Sequence, residues 1–195
     1  MVDVRGNVAA HTGNLCIAEA GHHTGAGFSV QANMMTRASV WPAMAEAYAS
    51  APGDLADRLL TALDAAEAEG GDIRGRQSAA LLIVPAVASD PPWSDRVFDL
   101  RVEDQPEPLA ELRRLVRLRR AYAGAPDARA RFEAGGWPAE LDFWHALRLA
   151  AAGELEPARE ILARLPGDDS RWRELARRLV PVGLLSAEVA EKLGV

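Results

Sequence analysis

The segment Gly70-Gly71-Asp72-Ile73-Arg74-Gly75-Arg76-Gln77-Ser78-Ala79-Ala80-Leu81-Leu82-Ile83-Val84 carries three structural signals in succession. Its paired glycines stop a helix, its polar middle reads as a turn, and its end reads as a strand. Ala79 to Val84 is apolar at every position before Pro85, a pattern that predicts a strand covered on both faces. Upstream, Asp54 opens a helix with Leu55, Leu59, Ala62, Leu63 and Ala66 at helical spacing, which the glycine pair terminates. Before it, Ser39 reads as the N-cap of a helix with Val40, Met44, Ala47 and Tyr48 on its apolar stripe and Pro42 in its first turn. Downstream, Arg96 to Glu103 alternates and predicts the neighbouring strand.

Further outward, Gly21-His22-His23-Thr24-Gly25-Ala26-Gly27 is a polar, glycine-punctuated turn that runs into Phe28 to Met34. There Phe28, Val30, Ala32 and Met34 alternate with Ser29, Gln31 and Asn33, predicting a strand with one buried and one polar face. Val2 to Gly13 reads as a hairpin and Leu15 to Ala20 as a third strand, with Cys16 buried in it.

From Pro106 onward the period changes from two to about 3.6 residues. Leu109, Leu112, Leu115, Val116 and Tyr122 predict one amphipathic helix, broken at Gly124-Ala125-Pro126, with a second break at Gly135-Gly136-Trp137-Pro138. Leu141 to Gly153 and Glu156 to Gly167 predict a helix–turn–helix. Its small and large residues at Ala146, Leu149, Gly153, Leu155, Ala158 and Leu162 resemble one tetratricopeptide-type (TPR-like) unit. A helix through Trp172, Leu175, Ala176 and Leu179 follows, and Ser186 caps a last short one.

The chain has 195 residues, 49% of them apolar, and a formal net charge of −6. Residues 1–100 hold six Lys and Arg against twelve Asp and Glu, whereas residues 101–195 hold sixteen of each. Neither half has the net basic field that nucleic-acid binding requires. The run from Arg113 to Arg120 reads as a solvated helix face partnered by Glu107 and Glu111. No run of about eighteen apolar residues predicts a membrane span, and the start lacks the layout of a secretion signal, so a cytoplasmic protein is expected. One cysteine excludes an intramolecular disulfide.

Two clusters could carry chemistry. His22 and His23, with His11 and Cys16, lack the paired spacing of a zinc site, so neither metal nor cofactor is expected. His22 or His11 is read either as a turn histidine bonded to backbone or as a proton carrier lining a cleft. Asp72, Arg74, Gln77 and Ser78 stand at the mouth of the predicted strand. Asp72 with Arg74 is read equally as a structural ion pair or as a binder of a carboxylate or amide. Ser78 lacks the Gly-x-Ser-x-Gly frame of a nucleophile elbow. Trp137, Trp144 and Trp172 read as core anchors of the helical region.

Asp3-x-x-Gly6 with Ala9-Ala10-His11-Thr12-Gly13, then Gly21-His22 through Asn33-Met34, then Gly70 through Leu81, and Asp95-Arg96-Val97 through Leu112 occur in this order. Together they resemble the later part of an uncharacterised bacterial and archaeal family, domain of unknown function 1028, over roughly residues 2–122. That family is assigned to the N-terminal-nucleophile (Ntn) hydrolase superfamily. The resemblance implies two stacked sheets with helices outside and a lineage of amide-bond hydrolysis. It also implies that the family's first strands and its nucleophile precede the part matched here. In the superfamily a Thr, Ser or Cys attacks with its own α-amine as base, whereas the second residue here is Val2. His11, Thr12, His22, Asn33, Asp72, Arg74, Gln77 and Ser78 fall on the family's motifs. The resemblance implies Asn33 as an oxyanion or amide donor, His22 as proton carrier, and Asp72 with Arg74 as a substrate-orienting pair, with the others lining the site. Trp172-Arg173-Glu174-Leu175 through Gly183-Leu184-Leu185 is more faintly similar to a helical module assigned to peptidoglycan binding.

The expected fold is α+β: a partial αββα Ntn-hydrolase-like layered sandwich over residues 1–122, followed by an all-helical, TPR-like region over residues 123–195. The expected function is that of a shortened Ntn-type amidohydrolase-like protein acting on a small-molecule or peptide amide, inactive without the missing strands. The alternative is a non-catalytic helical binding or assembly protein recognising a peptide or cell-wall fragment. An incomplete sheet exposes an edge and apolar surface, so a homo-oligomer is expected.

Overall fold

The computed structural model describes residues 1–88, 90, 96–123, 138–166 and 169–194. It divides into two units, Met1–Arg119 and Arg120–Val195. Helix and strand are mixed along the chain, in an α+β arrangement. No described helix is long and apolar enough to cross a membrane.

In the first unit, β1 (Gly21–Gly25) and β2 (Phe28–Ala32) form an antiparallel hairpin with Gly21 opposite Ala32 and His22 opposite Gln31. Opposed residues project to the same side of a ladder. Gly21, His23, Val30 and Ala32 therefore share one face, and His22, Thr24, Ser29 and Gln31 the other, which is the polar face predicted from the alternation. Helix α1 (Val40–Ser50) packs on this hairpin and on α2 (Leu55–Ala68). The Phe28 ring lies 4.6 Å from that of Tyr48, and the Arg58 guanidinium covers Tyr48 at 4.2 Å. Asp54 caps α2 as predicted, accepting from the Asp57 N–H. Ser39 precedes α1 but does not cap it; its hydroxyl donates instead to the Glu69 carboxylate at 2.5 Å.

Strand β3 (Ala79–Ile83) pairs antiparallel with β4 (Phe98–Val102), Leu81 opposite Leu100. Leu81, Phe98 and Val102 are buried against Ala56 and Leu60 of α2 and Leu112 and Val116 of α3 (Pro108–Tyr122). The other face is open. Leu82 is 62% exposed, Val84 57%, and Asp99 and Arg101 pair beside them at 3.1 Å. The expectation of a strand covered on both sides is thus corrected: apolar composition at every position does not bury a strand when helices pack on one face of a two-stranded ladder.

The first twenty residues also depart from expectation. Val2 and Val8 pair antiparallel around a tight turn, with backbone hydrogen bonds from Asp3 N–H to the Asn7 carbonyl and from Ala9 N–H to the Met1 carbonyl, so the predicted hairpin forms as a single bridge, but no strand stands at Leu15 to Ala20. Cys16 is exposed, and Leu15 and Ile17 face solvent with it. β-Propensity reflects fit to a half-buried surface, and no neighbouring strand offers one here.

The second unit contains α4 (Ala139–Ala151), α5 (Leu155–Ala163), α6 (Asp169–Leu179) and α7 (Ala187–Leu193). Phe143, Ala146, Ala158 and Ala176 are fully buried, so α4 and α5 approach closely through alanines. Trp144 and Trp172 pack on Phe143 at 5.3 and 5.2 Å, the anchoring role expected of them. Ser186 caps α7, accepting from the Val189 N–H. The breaks predicted at 124–126 and 135–137, with Trp137, lie outside the described residues.

A Cβ added at Gly21 would lie 2.3 Å from Trp41 Cε2, whereas at Gly13 the nearest atom would be 3.9 Å away. Gly21→Ala is therefore expected to lower unfolding stability by about 1–3 kcal/mol through overpacking. Gly13→Ala should be close to neutral. Urea denaturation of both variants checks this, and equal effects would contradict it.

Candidate functional site

The antiparallel hairpin ends at Ala32, and the chain then turns through Met34, whose φ of 61° is left-handed. Such a conformation costs a non-glycine residue about 1–2 kcal/mol. It is held by Asn33 Oδ1, which accepts from the Met34 N–H at 2.9 Å, and by the Met34 carbonyl, which accepts from the Ile73 N–H. Thr36 N–H donates to the Gly71 carbonyl and Met35 bridges Asp72, so the exit of β2 is strapped to the loop that follows α2.

Beside this strap lies an open cavity of about 770 Å³ within the first unit. Asn33, Asp72, Arg74, Gln77 and Ser78 all line it, five of the eight residues singled out in the sequence. Because Asn33 Oδ1 is engaged with its own backbone, the side-chain amide N–H groups are the part left to act, and they make no other hydrogen bond among the described residues. Gln31 and Asp104 complete the polar wall, while Met35, Met44 and Leu63 supply an apolar one.

The charges in the wall are largely paired with one another. Arg74 grips Asp72 in a fork, Nε to Oδ1 at 3.0 Å and Nη2 to Oδ2 at 2.7 Å, and its backbone N–H also donates to Oδ1. The Arg74 side chain, then its backbone N–H, hold the Asp72 carboxyl down at about 2. Arg76 bridges Glu67 of α2 at 2.5 Å and Glu107, just before α3, at 2.7 Å. Neither Arg76 nor its partners were singled out as site residues. Their spacing along the chain follows no helical or strand period, so only the fold brings them together.

His11, Thr12 and His22 do not line the cavity. Thr12 Oγ1 lies 2.6 Å from His22 Nδ1, and His22 is the cross-strand partner of Gln31, which does line it. The histidine thus shares a hairpin face with the cavity rim. Among the described residues no group of three or more His, Cys, Asp or Glu could hold a metal ion. In the arginine run, Arg114 pairs with Glu111 one turn away, as expected, but Arg113 reaches Asp64 and the Leu60 carbonyl of α2 instead.

Residues 1–112 match the profile of a family described as "Family of unknown function (DUF1028)". A crystal structure of a Silicibacter pomeroyi protein, described as carrying the same family's model, matches with a TM-score of 0.50 and 31% identity, over 61% of this chain and 50% of that one. The chain therefore spans half the length of that relative. No curated protein matches.

The depressed Asp72 carboxyl makes a pH prediction. A group whose folded pKa is lowered stabilises above its unfolded value of 3.8, and that contribution is lost as pH falls through about 2. Wild type should therefore lose more stability than Asp72→Asn between about pH 5 and pH 2, by on the order of 1 kcal/mol after solvent screening. Urea midpoints of the two proteins across that range test it, and parallel curves would refute it.

Proposed function

The chain belongs to this family of unknown function, DUF1028, and we propose that its cavity is the substrate-orienting part of an amide-hydrolysing site of the Ntn type. The observation that carries the reading is the convergence of Asn33, Asp72, Gln77 and Ser78 on one cavity from segments distant in sequence. Asn33, with its oxygen tied to the Met34 N–H, offers amide N–H groups to a carbonyl oxygen, the geometry of an oxyanion donor. The Asp72–Arg74 fork stiffens the loop that presents Gln77 and Ser78. His22, held by Thr12 beside the rim, is the proton carrier.

The lining offers no attacking group with its base. Among the described residues of the lining, Ser78 is the one hydroxyl, and there is no His, Lys, Thr or Cys. This chain by itself accordingly binds an amide without cleaving it. The test is amine release from a panel of N-acyl and peptidyl amides, measured for this chain and for the Silicibacter pomeroyi relative, together with binding to this chain. Hydrolysis by the relative, with binding but no turnover here and weaker binding by Asn33→Ala, supports the reading. Absence of both turnover and binding for this chain overturns it.

The absent base also favours a second reading, a non-catalytic assembly protein, in which the open face of β3 and the TPR-like α4–α5 pair are docking surfaces. In that reading the partial layered sandwich completes itself against a second copy through Leu82 and Val84. Sedimentation at micromolar concentration should show self-association that Leu82→Glu abolishes. A monomeric wild type would remove this reading.

A further inference from the structure

The cavity's charges constrain what it accepts. Glu67, Asp72 and Asp104 set three carboxylates in the wall against two guanidiniums, Arg74 and Arg76. Both guanidiniums are paired with carboxylates of the protein, Arg74 with both oxygens of Asp72 and Arg76 with Glu67 and Glu107 together. The positive charge of the lining is thus already matched by carboxylates, and the wall keeps a net negative charge that favours a cation over a phosphate or carboxylate. Asp104 differs from the other two acids: no described residue forms a hydrogen bond or ion pair with its side chain. It is held in place through its neighbour, because the Gln105 N–H donates to the Gln77 carbonyl at 2.9 Å. Asp104 thus stands next to Gln77, and Asn33 contributes its amide donors to the same cavity. Helix α3 reaches the wall through Pro108 and Leu109.

We propose that the cavity takes a ligand bearing a primary ammonium group and an amide, with Asp104 receiving the ammonium and Asn33 the amide carbonyl. The chemical class is an amino-terminal peptide or amino-acid amide, which narrows the carboxylate or amide that Asp72 and Arg74 left open in the sequence. This rests on the cavity being an amide site and adds the sign and position of the ligand's charge. Three donors on the ammonium match an exposed carboxylate flanked by the Gln77 side chain, and the apolar wall of Met35, Met44 and Leu63 remains for the ligand's hydrocarbon part.

Titration calorimetry on the full chain tests this with two probes, glycylglycinamide and its N-acetylated form, in which a neutral acetamide replaces the ammonium. The free amine should bind about tenfold more tightly, the value of one charge-assisted hydrogen bond at a partly exposed site. The preference should shrink as salt is raised and vanish in Asp104→Asn. Asp104→Ser serves if the first variant does not fold, and the wild-type comparison needs neither. Equal binding of both probes, with both weakened by Asn33→Ala, overturns the ammonium assignment while the amide site stands. A preference that survives in both Asp104 variants overturns the role of Asp104. Failure of both probes to bind wild type overturns this inference and the amide-site reading together.

Discussion

The short antiparallel strap between Met34–Thr36 and Gly71–Ile73 is the constraint on which the first unit's cavity depends. Two backbone hydrogen bonds and the Met35–Asp72 bridge join the end of a hairpin to the C-terminal turn of α2. The strap needs a reversal at Met34 and another at Gly71, whose φ is 59°. Gly71 adopts this at no steric cost. Met34 does not, and its cost is offset by the hydrogen bond from its N–H to Asn33. The same bond that relieves backbone strain therefore fixes which end of the Asn33 amide faces the cavity.

What was legible in the sequence follows from periodicity. The polar face of β2, the capped α2 with its glycine stop, the β3–β4 pairing and the helices from Pro108 onward each repeat with a period that their packing enforces. The predicted third strand failed because short apolar runs report only a willingness to pair, and among the described residues no partner strand lies beside Leu15 and Ile17. The strap was invisible for a different reason. Met34-Met35 and Gly71-Asp72-Ile73 are too short to alternate, and their pairing is dictated by where α1 and α2 leave the chain.

Charge tells the same story in two ways. In the second unit Arg159 pairs with Glu156, Arg178 with Glu174 and Lys192 with Glu188, all at helical spacing. In the first unit charges pair across elements: Arg76 joins α2 to the start of α3, and Arg113 reaches α2. Local spacing predicts the first kind and is silent on the second. For that reason Asp72 and Arg74, two residues apart, were noticed from the sequence, and Arg76 was not.

Magnitudes decide how the cavity is to be understood. Loss of a single oxyanion donor costs an established enzyme about 10²–10³ in rate, whereas enzymatic accelerations run from about 10⁶ upward. Asn33 alone therefore falls short of amide hydrolysis by several powers of ten. Proton transfer from His22 would add about 10²–10⁴, yet that side chain is bonded to Thr12 and lies outside the lining. Under the amide-site proposal, a wall whose described residues include no nucleophile with its base is, by this reckoning, a binding element first. Cleavage then requires an attacking atom delivered to the open side of the cavity. Under the amide-site proposal, the polar lining contributed by Gln31, Gln77 and Asp104 is what selects the amide.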